Sequence, residues 1–504
     1  MTRWPLLLAG LLPLAAFAAA GEDLLRADLS EEDLARVIAV TRPTADFSMA
    51  EPFETMAGGA GTSRARIGGD DSFSHFSANL DFEDQEQFNL GNALFGKLWV
   101  PAPSSTQSSD GLGPFFNARS CALCHPRDGR GHPPSGPQDD RISMFLRLSV
   151  PPRTDAELEM IANHLAAVIG DPVYGTQMQD LAVPGLLGEG TMSIAYTEET
   201  VTLADGTEVS LRRPTYEFAD PNYGPPDPEI MISPRVAPAM IGMGLIEAIE
   251  AADILVRADP DDADSDGISG RPNFALDPVM GEVALGRFGW KAGTASVRAQ
   301  TAEAFAGDIG ISTPLVRRPY GDCTEARAEC LALENGEQER LGIGEAPDPI
   351  LDLVTFYAQN LAVPARRDVG DAQVLAGKQV FYETGCTACH APKFVTSRNA
   401  INPGQRFQLV WPYSDFLLHD MGEGLADHRP EGAADGYEWR TAPLWGIGLT
   451  QNVSGHTFFL HDGRARNILE AVLWHGGEAQ AVRDRVVALD TAGREALLAF
   501  LESL

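Results

Sequence analysis

Gly385-Cys386-Thr387-Ala388-Cys389-His390 is the stretch on which the rest of the chain turns. It has the form C-x-x-C-H. Two thiols at this spacing add to the two vinyl groups of a haem, and the adjacent imidazole then reaches the iron from one face. A second copy, Cys121-Ala122-Leu123-Cys124-His125, stands far upstream. Cys121, Cys124 and His125 are therefore expected to hold one covalently bound haem c, and Cys386, Cys389 and His390 another. A competing reading is structural zinc, which is also bound by Cys and His in fours. It requires both C-x-x-C pairs to share one ion, and it leaves each histidine without a role.

Around the second motif, residues 372–382 read as a helix that delivers Cys386, and residues 349–361 as an earlier helix with Ile350, Leu351, Val354, Tyr357 and Leu361 on one side. Residues 362–370 between them read as a linker, which sets the main boundary. The expected fold is mainly α, with small β hairpins and long irregular segments. It comprises two cytochrome c-like haem domains: residues 21–361, carrying large insertions, and residues 371–504.

A haem iron held by one histidine has a sixth position, and its occupant decides between electron transfer and reaction with a small oxidant. Residues 464–474 read as a helix whose apolar face holds Ile468, Leu469, Val472 and Leu473. His475 falls on that same face, ahead of Gly476 and Gly477, and is the expected second ligand of the His390 iron. His419 and Met421 are its rivals.

The N-terminus has Arg3, an apolar run over residues 5–17 and small residues over 16–20. Residues 1–20 thus read as a secretory signal peptide, too short in its apolar run to span a bilayer. No later stretch is long and apolar enough to be a membrane span. The mature protein is expected to be soluble and exported to the periplasm, where haem c is attached. In that oxidising compartment Cys323 and Cys330 suit a small disulfide loop, with two free thiols as the alternative. The formal net charge is −33, from 71 acidic and 38 basic residues. That balance excludes nucleic acid as a partner. It suits either plain solvation or the steering of a basic redox protein.

Elsewhere the pattern predicts a helix over 21–45, irregular chain over 43–81, a short apolar element over 88–100, a strand over 141–150 and a helix over 155–169. A hairpin over 190–218 turns at Asp205-Gly206. Phe115 and Phe116 precede the first motif and suit either porphyrin packing or the core. Arg127 and Arg130 follow it, as propionate partners or as exposed arginines. Asp262, Asp264 and Asp266 precede Gly267 in the order of a calcium loop, but the closing Glu is replaced by Asn273. Bound calcium and a solvated acidic turn both remain readings of that loop.

With two C-x-x-C-H sites, Phe459-Leu-His-Asp-Gly-Arg464 and a following helix, the chain resembles the bacterial dihaem cytochrome c peroxidases and their methylamine-utilisation relatives. It is more similar to the branch called di-haem oxidoreductases, through Gly113-Pro-Phe-Phe-Asn-Ala-Arg-Ser-Cys121, Asp128-Gly-Arg-Gly131, Gly286-Arg-Phe-Gly-Trp-Lys291, Phe305-Ala-Gly-Asp-Ile-Gly310 and Pro443-Leu-Trp-Gly-Ile-Gly448. The resemblance implies a periplasmic oxidoreductase of peroxidase type. Electrons from a small redox protein enter at the C-terminal haem, and hydrogen peroxide or a similar small oxidant is reduced at the N-terminal one. In the peroxidases a Met ligates the C-terminal iron, fourteen residues after the His of the His-Asp-Gly-like motif; here that position, counted from His461, is His475. Imidazole in place of thioether lowers the potential of that haem.

The peroxidases also carry a His about sixteen residues after the first attachment His, a position held here by Arg141. His132 lies closer, and His75 and His164 are remote in sequence. The His125 iron is therefore expected to have an open or weakly occupied distal side. Glu189, Tyr196 and Glu217 are candidates for the distal acid–base group. The resemblance also favours calcium between the haems and raises Trp290 as a residue on the route between them, against an ordinary packed Trp. The alternatives are a dihaem electron-transfer cytochrome without a substrate of its own, and a scaffold in which haem only supports the fold.

Overall fold

The computed structural model describes residues 26–134 and 143–504. The signal-peptide reading of residues 1–20 lies outside them. Two helix pairs organise the chain, one beside each motif. The first pairs Phe82–Phe95 with Asp348–Asn360. Asp81 starts its first helix by accepting from the Asp84 backbone N–H, and Glu83 and Asp84 place negative charge at the positive end of the helix. These caps explain why the helix begins well before the apolar run expected over 88–100. Its partner approaches closely at Gly91, where a Cβ would lie 2.2 Å from the Leu353 carbonyl oxygen. Phe88, Phe95, Leu351, Val354 and Tyr357 close the core around this crossing.

The C-terminal half repeats the device. Ala372–Glu383, capped by Asp371, packs on Thr491–Ser503, capped by Asp490. Here the helices touch at Gly377, where a Cβ would lie 1.8 Å from the Ala496 carbonyl oxygen. Only glycine permits backbones this close. The aromatic residues correspond as well. Phe95 lies 5.2 Å from the Tyr357 ring and 6.2 Å from the His125 ring. Phe381 lies 5.1 Å from the Phe500 ring and 6.2 Å from the His390 ring. Each motif histidine is thus set against the same two-ring stack on a glycine-crossed helix pair.

The sheets described are all two-stranded and antiparallel. The longest pairs Thr191–Thr202 with Glu208–Ala219, and Gly206 takes the positive φ of 83° that its turn requires. The helix expected over 21–45 is Glu31–Thr41, begun by the Ser30 cap. The helix expected over 155–169 stops at Ala162, because Ile169 is drawn away to accept from the Val150 N–H at 2.8 Å. The helix expected over 464–474 is only Ile468–Leu473: Arg464 is held by Asp462, and Asn467 caps the shorter helix. The stretch read as a linker is packed rather than loose. Ala362, Val363, Pro364, Ala365 and Arg366 are buried, and the Arg366 guanidinium pairs with Glu54. Cys323 and Cys330 form the expected disulfide. Among the described residues no helix is long and apolar enough to cross a membrane.

Candidate active site

The two motifs are built alike. Cys121–Cys124 forms one helical turn, and the His125 N–H donates to the Cys121 carbonyl at 3.0 Å. In the second, Gly385 (φ 91°) turns the chain into a 3-10 turn over Cys386–Ala388, and the His390 N–H donates to the Cys386 carbonyl at 2.9 Å. All four cysteines are thiols rather than disulfides. Burial raises Cys121 to about 12 and Cys386 to about 11, and raises Cys124 and Cys389 as well. Among the described residues no cluster of His, Cys, Asp or Glu joins the two C-x-x-C pairs, as a zinc ion shared between them requires; the one cysteine in such a cluster is Cys389, with Asp415 and His419.

Three histidines share one electronic state. His125 Nδ1 lies 2.8 Å from the Pro238 carbonyl, His390 Nδ1 2.8 Å from the Tyr413 carbonyl, and His475 Nδ1 2.8 Å from the Ala471 carbonyl. A carbonyl oxygen only accepts, so Nδ1 carries the proton and Nε2 keeps its lone pair. This is the orientation that ligating imidazoles take. Burial lowers all three pKa values, His390 to about 4, so the rings are neutral. His475 and His419 both act electrostatically on His390. His475 has the protonation state of a ligand. Its rival His419, whose Nδ1 lies 3.5 Å from Cys389 Sγ, does not: its Nε2 faces Asp415 at 2.9 Å and its Nδ1 faces Glu478 at 2.7 Å. Two carboxylates hold it protonated, with its pKa well above the ordinary value despite burial. Met421 packs against the main core.

The first motif has a different neighbourhood. The charge of Asp308 acts on Cys121, Cys124 and His125, and that of Asp180 on Cys124. Behind them stands a buried polar wall. Gln177 donates to Asn117 and Asp308, and Asn117 donates to Asp180 at 2.9 Å. Gln179 donates through its side chain to the Gly307 carbonyl at 2.6 Å and through its backbone to Glu189 at 2.6 Å. Glu189 is fully buried and also pairs with Arg327. Burial raises Asp180 to about 6 and lifts Glu189 above its ordinary value, although Arg327 pulls the other way. Among the described residues Gln177 Oε1, Gln179 Oε1 and Arg327 Nε are buried without a partner. A wall of this kind, with unpaired polar atoms and a carboxyl near neutrality, fits an oxygen-bearing ligand.

The sequence reading picked out Glu189 but missed Gln177, Gln179, Asp180, Asp308 and Arg327. No motif carries them, and their only signal is polar residues in strongly apolar surroundings. Glu217 is exposed on its strand, and Tyr196 lies beside Asp462 rather than Glu189. Arg127 is exposed near Asp70. Arg130 is half-buried, with its pKa lowered to about 10 by desolvation, and donates to the Phe458 and Leu460 carbonyls. Its guanidinium lies 5.2 Å from the Trp290 ring. In the acidic loop Asp259, Asp262 and Asp264 come together, whereas Asp266 turns to accept from the Ile268 N–H.

The family model described as "Di-haem oxidoreductase, putative peroxidase" matches residues 53–504. The chain belongs to the di-haem oxidoreductase family. Two haems and an oxidoreductase activity follow from membership, and the two C-x-x-C-H motifs are the residues that fit them. No curated protein matches this di-haem oxidoreductase. Among solved structures, Kuenenia stuttgartiensis hydrazine synthase pressurized with xenon aligns at 17% identity with a TM-score of 0.21. That alignment covers 31% of this chain and about half, 55%, of the other.

Proposed function

We propose that this di-haem oxidoreductase is a periplasmic peroxidase with two covalently bound haems c, the C-terminal one receiving electrons and the N-terminal one meeting peroxide. The observation that carries the reading is an asymmetry. The C-terminal motif has a second buried imidazole, His475, with its Nδ1 tied to the Ala471 carbonyl and within electrostatic reach of His390. The N-terminal motif instead has carboxyls raised toward neutrality. The haems, when bound, supply electron storage and the redox chemistry with peroxide.

The chain supplies the rest. With the haems bound, His125 and His390 would each offer Nε2 to an iron, and His475 would offer a second Nε2 at the C-terminal site. Reduction of hydrogen peroxide to two waters consumes two electrons and two protons. Glu189 and Asp180 are the groups placed to hold and pass those protons, and Gln177 and Gln179 orient the oxygens. A small redox protein, steered by the acidic surface, is the electron donor.

The test is the spin state of the ferric and half-reduced protein, with peroxide turnover measured on the same sample. One high-spin and one low-spin haem are expected, and His475→Ala should convert the low-spin haem to high-spin. Two low-spin haems in every redox state, with no peroxide turnover, would reduce the protein to an electron-transfer cytochrome.

A further inference from the structure

The loop over residues 458–464 touches both sites. On one side the Phe458 and Leu460 carbonyls accept from Arg130, which follows the first motif. On the other, the Arg464 guanidinium lies 4.9 Å from the Trp474 ring, next to His475. Asp462 sits at the centre of this loop, fully buried, and accepts from Arg464 Nε at 2.8 Å and from the Tyr216 hydroxyl at 2.8 Å. We propose that Tyr216 is a redox-active tyrosine that gives an electron to the peroxide-oxidised haem pair while its hydroxyl proton passes to Asp462. This rests on the peroxidase reading.

A phenol that loses an electron becomes a very strong acid, so its oxidation is easy only where a base already holds the proton. Tyr216 has that base. Tyr196, the other phenol beside Asp462, has a buried hydroxyl with no partner among the described residues. Two phenols thus share one neighbourhood, and only one can release its proton along an existing hydrogen bond. Arg464 holds Asp462 ionised, well below the ordinary carboxylate range in spite of burial, while burial and Asp462 keep the Tyr216 phenol protonated in the resting state.

The step balances. One electron leaves the phenol for the haem pair, whose oxidant is hydrogen peroxide. The O–H bond breaks, the proton forms a bond to Asp462 Oδ2, and a neutral phenoxyl radical remains. An electron from the donor protein and the return of the proton restore the phenol. The position suits a relay, since the loop that carries Asp462 is in contact with residues of both sites.

The experiment is rapid-freeze electron paramagnetic resonance of the holoenzyme after hydrogen peroxide, with the haem optical spectrum recorded in parallel. A tyrosyl signal is expected in the wild type, lost in Tyr216→Phe and retained in Tyr196→Phe. A signal that survives in Tyr216→Phe, or no tyrosyl signal although the haem spectrum responds, overturns the proposal. If the haem spectrum does not respond to peroxide, the peroxidase reading fails by itself. A photogenerated ruthenium(III) oxidant then decides the tyrosine separately: a radical lost in Tyr216→Phe supports it, and a radical located elsewhere sinks it.

Discussion

The two halves of the molecule use one support and diverge at the face where chemistry happens. Both cross their helices at a glycine, Gly91 or Gly377, and both set a phenylalanine 6.2 Å from the motif histidine. Both tie that histidine to a backbone carbonyl at 2.8 Å. Beyond the shared support, the C-terminal half brings up His475, and the N-terminal half brings up Gln177, Gln179, Asp180 and Glu189. The support of the motif histidine is therefore duplicated, while Asp180 and Glu189, both raised by burial, stand in one half. The lesson is that a repeated scaffold fixes where the motif histidine sits, while the polar groups around it differ between the halves.

The largest test of this difference is Glu189→Gln. It should lower kcat/KM for peroxide by about 10²- to 10⁴-fold, the usual worth of a positioned acid–base group. The low-spin spectrum of the C-terminal haem should stay as it is. Steady-state assays with a reduced small cytochrome, beside optical spectra, measure both.

The shared support can be broken symmetrically. Gly91→Ala and Gly377→Ala should each destabilise the holoprotein by about 1–3 kcal/mol, the usual cost of overpacking. Gly377→Ala should cost more, since its added Cβ would meet a carbonyl oxygen at 1.8 Å rather than 2.2 Å. Denaturant titration of the two variants gives the ranking, and equal or negligible losses would show that the crossings are not close-packed.

A staple distinguishes the halves as well. The Cys323–Cys330 disulfide closes a short loop, and such a loop contributes about 2 kcal/mol in the chain-entropy account. The double variant Cys323→Ser, Cys330→Ser should lose about that much stability. Proteolysis of the native protein should then open first in the N-terminal half.

A further difference is a slope in stability against pH. Asp180 is raised from 3.8 to about 6 by burial. A raised carboxyl favours the folded state when protonated. Its contribution is full below 3.8 and is lost as the pH rises through about 6. Asp180→Asn should remove that part of the decline, measured as the denaturation midpoint across this range.

Much of this molecule was legible in the residues. The two C-x-x-C-H motifs, the helix that delivers the second one, the hairpin turn at Gly206 and the Cys323–Cys330 pair all follow from local spacing and turn chemistry. Spacing carries such features because covalent attachment, capping and disulfide closure act over a few residues. The early end of the helix expected over 155–169 was not legible, since it goes with the bond between Val150 and Ile169, whereas the 464–474 helix is shortened by local groups, Asp462 and the Asn467 cap, that the spacing argument passed over.

What the chain by itself determined is the pair of C-x-x-C-H motifs that fit the two haems of the family. What only the tertiary structure decided is which groups face them. His419 and His475 are both histidines that follow the second motif in the chain. Folding places one between two carboxylates, which fix it as a cation, and ties the other to a carbonyl, which leaves its lone pair to a metal. Asp180 and Glu189 look like ordinary acids until burial raises them. Electric fields and desolvation are sums over neighbours from the whole chain, and no local pattern encodes them.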